Sequence, residues 1–475
     1  MALPPQPFGN MMDRNNVAPD MQQMDTSVEI PLNLPEEFEG GAQVTETPDG
    51  ALIEALMGME EMPQEELITF DANLSEFLDE DVLGDIASDL VGAFEDDLSS
   101  REDWEDTYVK GLELLGVKTE ERSSPFEGAS NVTHPLVAES VTQFQAQAYK
   151  ELLPSGGPVK TKVLGLENAE TEQQAKRVKD YLNYLILDRM DEYDSDTDQM
   201  LFYLPLSGMT FKKLYFDQAK QRPVARFVPA QDVVVPYSAT DLRSAPRITH
   251  VLKMTDNEVR KMQVSGFYRD VDLTDDGDEE VNEVRSKVDE LQGTSRTSYT
   301  DDTRTVLEMH VELDLDGFED MGMDGEPTGI KLPYIVSIDR SSNTILAIRR
   351  NYAEADPTRE AIPYFVPYKF LPGLGFYGFG LTHMIGGLGR AATSILRQLI
   401  DAGTLSNLPA GFKARGMRVA NSDEPLQPGE FRDIDAPGGN IRDAIIPLPY
   451  KEPSATLAQL LGALVDGGRR FVSVA

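Results

Sequence analysis

Gly373, Gly375 and Gly378 in PGLGFYGFG have the GxGxxG spacing that, between a strand and a helix, lets a backbone approach a dinucleotide pyrophosphate. A strand-like AIPYFVPYKF precedes them and a helical pattern follows. That chemistry also needs a second strand with a carboxylate for the ribose about 20 residues on. Asp401 lies at that distance, but inside a continuing helical run, SILRQLIDAG, with no strand between. The glycines, with Gly380 beside them, therefore read as a hinge between sheet and helix, where missing side chains permit close approach. No GxxxxGK[ST] occurs, which argues against a phosphate-loop motor. His134, His250, His310 and His383 stand at least 60 residues apart, so no HExxH or other local histidine motif exists and each reads as structural or surface. Cysteine is absent, which removes disulfides, thiolate metal sites and a cysteine nucleophile. Asp272–Glu283 (DLTDDGDEEVNE) mimics a calcium loop at positions 1, 3, 5, 6 and 12, but Glu279 replaces the usual apolar residue at position 8. It reads as a solvated loop. No cofactor and no catalytic constellation is expected.

The elements that position these residues sit in a strongly acidic chain. Its 475 residues carry 43 Lys+Arg against 82 Asp+Glu, a formal charge of -39. Length and 40% hydrophobic content suit a folded protein of about three structural units. Residues 1–100 hold 24 acids and one base, Arg14, for a net of -23. Residues 1–50, rich in Pro, Gln, Asn and Met, read as a disordered acidic tail. Residues 51–125 read as an acidic helical arm, with stripes at Leu52, Ile53, Leu56 and Met57 and then from Leu74 to Leu90. Its acid either solvates packed helices or docks on a basic partner. The start, MALPPQPFGNMMDRNN, lacks a basic segment followed by an apolar one, and no 18-residue apolar run occurs, so neither a signal peptide nor a membrane span is expected. A basic DNA-binding domain is disfavoured as well.

Helices are expected near 134–153, 169–190 and 195–204, with a short one at 256–263. Strands are expected at 210–216, 223–236, 246–253, 305–314, 332–339 and 344–352. Helices followed by strands, with little βαβ alternation, favour an α+β fold. From Leu381 to Ala402, apolar positions recur at spacings of three and four around a broad face, with Arg390 and Arg397 seven apart on one side and Gly403 as the expected stop. A helix this apolar needs neighbours on more than one side. Residues 404–453 are proline-studded with short strand-like pieces such as AGFKARGMRV, and Ser454 is the expected N-cap of a second amphipathic helix.

The wording of several segments, including GASNVTHPLVAESVTQFQAQAYKELLPSGGPVKTKV, LPGLGFYGFGLTHMIGGLGRAATSILRQLIDAGTLSNLPAGFKARG and PGEFRDIDAPGGNIRDAIIPLPYKEPSATLAQLLG, resembles the portal proteins of tailed bacteriophages. The resemblance covers about residues 120–472. It implies a wing over 126–380, stem helices over 381–403 and 454–475, and a β-rich clip over 404–453. The glycine segment would be the wing-to-stem hinge. Lys413, Arg415 and Arg418 become candidates for terminase or adaptor contact, and Arg390 and Arg397 for intersubunit or channel roles. It further implies a dodecameric ring at one capsid vertex of the virion, assembled in the bacterial host cytoplasm. Expected partners are the terminase large subunit, tail adaptors, major capsid and scaffold proteins, and double-stranded DNA passing without sequence recognition; no membrane is expected. Family chains continue past the second stem helix into a channel loop and crown, so no DNA-gripping loop is assigned here. The competing expectations are a capsid-associated, scaffold-recruiting module without a channel, and an enzyme using the GxGxxG segment.

Overall fold

The computed structural model describes residues 43–47, 50–54, 68–118, 122–217, 220–273, 283–292, 303–322, 325–407, 411–413, 418–419, 434–435 and 445–474. The chain divides into two units, Met1–Ile68 and Thr69–Ala475. In the first, β1 (Gln43–Thr47) pairs antiparallel with β2 (Gly50–Glu54), Thr47 standing opposite Gly50. This corrects two expectations. The tail read as disordered to residue 50 contains a strand, and Leu52 and Ile53 lie on a strand instead of a helical stripe. The physical signal is the Thr47-Pro48-Asp49-Gly50 sequence, which is strong turn chemistry, flanked by the alternating QVTET. Leu56 and Met57 lie outside the described residues.

In the second unit, α1 (Glu80–Ser100) turns one apolar stripe inward, Leu83, Ala87, Leu90 and Phe94, all buried. The stripe covers one face of a five-stranded antiparallel sheet, in which β5 (Val233–Val234), β6 (Arg247–Thr255), β7 (Thr303–Leu313), β8 (Leu332–Asp339) and β9 (Thr344–Arg350) lie in sequence order. Alternation sorts β7: Leu307, Met309 and Val311 join the α1 side, whereas Val306 packs with Val259 of α6 (Asp256–Val264) on the other. A second sheet has three antiparallel strands, with β3 (Met209–Asp217) between β4 (Arg222–Pro229) and β10 (Phe365–Lys369). Antiparallel pairing of strands that follow one another in sequence, with helices placed mostly outside the sheets, makes the mixed α+β class that the sequence pattern indicates.

The remaining helices include a long one on which four of the others pack. They are α2 (Glu102–Leu114), α3 (Leu136–Leu152), α4 (Ala169–Tyr184), α5 (Tyr193–Ser207), α7 (Glu283–Gln292), α8 (Leu381–Asn407) and α9 (Ala455–Val474). α9 runs back along α8: Pro453 at its start meets Gly403, and Leu461 and Val465 share a core with Ile385 and Ala392. Ser454 caps it, its Oγ accepting from the Leu457 amide at 3.4 Å. Gly403 does not end α8, which continues four residues to Asn407. A glycine inside a helix costs only about 1 kcal/mol, and the effective breaker is Pro409, which disfavours helix at the residue before it. Between α8 and α9, β11 (Gly411–Lys413) pairs with β14 (Ile445–Pro447), and β12 (Arg418–Val419) with β13 (Ile434–Asp435).

Candidate functional site at the root of the long helix

The glycine segment is a closed loop feeding α8. Leu371 and Phe379 exchange backbone hydrogen bonds of 3.0 and 3.2 Å, and between them the chain dips so that Phe376 and Tyr377 are buried while Leu374 projects at the tip. None of its glycines takes a left-handed φ; what excludes a side chain is space. A Cβ on Gly373 would strike the Tyr377 carbonyl, and on Gly375 would lie 2.5 Å from the Tyr237 ring. A Cβ on Gly378 would strike the Gly208 carbonyl, and on Gly380 would lie 2.7 Å from the Gly208 amide nitrogen. Gly208 is the reciprocal partner, and it alone needs glycine for conformation as well, ending α5 at φ 86°. Two glycine-lined backbones therefore meet without side chains between them. Gly208 carried no signal in the sequence reading, though its place after a helical run and before FKKLYF marks a C-cap.

The loop is locked from below by groups the sequence reading missed. Arg101, at the α1–α2 corner, is fully buried and donates to the carbonyls of Ala230 (3.1 Å), Gln231 (2.8 Å) and Val233 (2.9 Å) and to the Tyr377 hydroxyl (3.2 Å). It pairs with Glu105 at 2.7 Å, one helical turn on. Burial disfavours its charge, but Tyr377 and Glu105 more than compensate and hold the guanidinium above its ordinary pKa. Trp104, the single tryptophan, stacks on Tyr377 with ring centres 4.8 Å apart and donates to the Ser207 carbonyl at 3.2 Å. Three separate stretches, 101–105, 207 and 230–233, are thereby tied to the loop at the root of α8. The start of α8 is held in turn by Thr382, whose hydroxyl donates to the Leu206 carbonyl and lies where a side chain on Gly111 would go. His383 accepts from the Gly380 amide at 3.1 Å as a local cap.

On one flank of α8 a cleft of about 530 Å³ is lined by Lys110, Arg122, Arg390 and Arg397 and by the acids Glu113 and Asp401. Arg397 is held within the chain: its guanidinium donates to the carbonyls of Val132 (2.8 Å) and Asn131 (3.3 Å). Burial and the nearby Arg122 charge lower its pKa. Arg390 is exposed and has no ion-pair partner among the described residues. Asp401 accepts from the Ser130 amide at 2.6 Å, inside an unbroken α8, so no ribose-binding strand follows the GxGxxG segment. Lys413 lies on β11 and Arg418 on β12, while Arg415 lies outside the described residues.

The histidines are structural. His134 accepts from the Leu136 amide at the start of α3. His250 and His310 flank Glu308, which Lys213 grips at 2.5 and 2.7 Å where the two sheets meet. Burial and the Lys213 charge press His250 down to about 3. Burial by itself would raise the Glu308 carboxyl, but the His310 hydrogen bond and the Lys213 charge outweigh it and hold it well below the usual carboxylate range. Among the described residues no group of three His, Asp or Glu is arranged for a metal, and no helix is long and apolar enough to cross a membrane. Residues 274–282 of the calcium-like loop lie outside the described residues.

A family model described as Phage SU10 portal protein matches residues 209–467, from the first residue of β3 into α9. No curated protein matches the chain.

Proposed function

Since the chain belongs to the phage SU10 portal protein family, we propose that it is the repeating subunit of a dodecameric ring at one capsid vertex, the conduit through which double-stranded DNA is packaged and ejected. In this reading α8 and α9 are the stem, residues 408–454 are the clip, and the body before Gly373 is the wing. The observation that supports it most is the antiparallel α8–α9 pair, which packs on α2 and α3 yet leaves Met384, Ile400 and Leu460 between 38% and 47% exposed. Apolar groups on two long helices call for cover, and in a closed ring the same helices of the neighbouring copies supply it.

The other assignments follow from this. Gly373, Gly375, Gly378 and Gly380 form the wing-to-stem joint, a rigid close-packed one. Arg390 faces a neighbour or the channel, whereas Arg397 fixes the 131–133 segment to the stem. Lys413, Arg415 and Arg418 on the excursion meet acidic surfaces of the terminase large subunit or tail adaptors. The acidic balance lets DNA slide without sticking, since like charge repels phosphate. The role is structural, not enzymatic.

Negative-stain electron microscopy of the purified chain tests the reading directly. Rings with a central hole are expected. Monomers or dimers persisting across protein concentrations would overturn it and leave the scaffold-recruiting module as the better account.

A further inference from the structure

Helix α4 stands apart from the helices around it: not one of its sixteen residues is buried. A helix that buries nothing is ordinarily marginal, yet this one is pre-shaped. Asn168 and Thr171 form a reciprocal capping box, with bonds of 2.8 and 3.0 Å. An extended strap lies along the helix, Asn183 accepting from and donating to Val159 at 2.9 and 3.2 Å and Thr161 donating to the Ala175 carbonyl at 3.0 Å. On this prearranged arm the apolar groups face outward. Leu164 and Leu166 of the strap are 88% and 89% exposed and Tyr181 is 62% exposed. Arg177, Tyr181 and Tyr184, spaced four and three, share one outer side of the helix. Exposed leucines and tyrosines grouped on a preorganised element mark a surface made to be covered, because ordering was completed before contact.

Charge indicates by what. Residues 159–185 carry five Lys/Arg against four Asp/Glu, in a chain whose total is -39. None of those five cations has an ion-pair partner among the described residues. Helix α1 is the opposite: seven acids and no base in 21 residues. With Leu83, Ala87, Leu90 and Phe94 turned inward, its Asp81, Asp85 and Asp89 are exposed at successive turns, also without ion-pair partners among the described residues. We propose that the α4 arm docks on the acidic outer side of α1 of a second copy of this chain. This rests on the ring reading and names the subunit contact within it. A head-to-tail ring requires two different, complementary patches on each subunit, and the arm and α1 are such a pair. Apolar cover supplies affinity, and the charges supply register and rate.

The test uses the full chain and sedimentation velocity over a concentration series, with electron microscopy of the same samples. All substituted side chains are exposed, and unchanged thermal unfolding certifies the fold. Leu164→Glu with Tyr181→Glu is expected to raise the concentration needed for assembly more than tenfold. Arg177→Glu with Lys176→Glu is expected to raise it several-fold, as is Asp85→Lys with Asp89→Lys, and combining the two charge reversals should restore assembly. Assembly of the Leu164/Tyr181 variant at the wild-type concentration overturns the proposal, and so does failure of the combined reversal to recover. If the wild type forms small oligomers but no ring, the ring reading fails while the same variants still decide the arm contact. A strictly monomeric wild type overturns both.

Discussion

Arg101 shows what one residue does for the root of α8. Its charge is buried, so it is tolerable only because Glu105, three carbonyls and Tyr377 surround it. Arg101→Met leaves Glu105 and three carbonyls without their donor. We expect a loss of about 3–5 kcal/mol, read as a lower urea midpoint. Arg101→Lys should recover only part of this, because an ammonium cannot span the fork. An unchanged midpoint in the Met variant would show that the cluster is not what ties these stretches together. The His250–Glu308 pair makes stability depend on pH. His250 is neutral in the fold down to about pH 3 but takes up a proton near 6.5 when unfolded. Its contribution is therefore complete above pH 6.5 and is lost as pH falls toward 3. Glu308, with a folded pKa depressed below its ordinary 4.5, contributes above that pH and loses its share below it. Both slopes run the same way. Urea unfolding at a series of pH values should show up to about 1.4 kcal/mol per pH unit from His250 between about 4.5 and 6.5. His250→Gln should flatten that window and keep the steeper limb below it; an unaltered slope would sink the assignment.

At the level of elements, two kinds of glycine can be told apart. Gly208 and Gly378 leave no room for a methyl group, their backbones being in reciprocal contact, and Gly208 has φ 86° besides. Gly208→Ala or Gly378→Val must separate α5 from the loop, at a cost of about 2–4 kcal/mol and, in the portal reading, with loss of ring assembly. Unchanged melting and unchanged assembly in Gly378→Val would refute a joint at this place. Gly387, in the middle of α8, has nothing within 4 Å of where its Cβ would be. Gly387→Ala should raise the monomer's stability by about 0.5–1 kcal/mol through helix propensity alone. A lower melting temperature in the isolated chain would contradict that. Period and turn chemistry make most of these elements legible in the sequence: β8 spans 332–339 as its apolar, strand-like run indicates, and α3, α5 and α6 differ only at their ends. The β1–β2 hairpin is not legible in the same way, because a short stripe such as Leu52 and Ile53 fits either period, and only the pairing register separates them.

Over the whole molecule the charge has two parts, -23 within residues 1–100 and the remaining -16 in the other 375 residues. Most of the chain is therefore only moderately acidic; cations outnumber acids four to two at the α8 cleft, and the α4 arm is close to neutral. A ring built from it should bind linear duplex DNA weakly at about 0.15 M salt, where screening acts beyond roughly 8 Å. A gel-shift titration checks this. A tight complex that weakens steeply with added salt would mean that cations, not acids, line the path.

Composition, period and motif context were enough to place this chain as a folded, acidic α+β protein without thiol or local histidine motifs, to weigh against a nucleotide site at the GxGxxG segment, and to mark the paired helices. Those properties are local, set by residue type and by spacings of two to four. The partners of the glycines were decided only by the tertiary fold, since Gly208 meets Gly378 from 170 positions away in the sequence. The same holds for burial of Arg101 beneath Tyr377, the Lys213–Glu308 grip between sheets and the outward apolar face of α4. Each depends on which distant backbones come within a few ångströms of one another, and no periodicity along a chain encodes that distance.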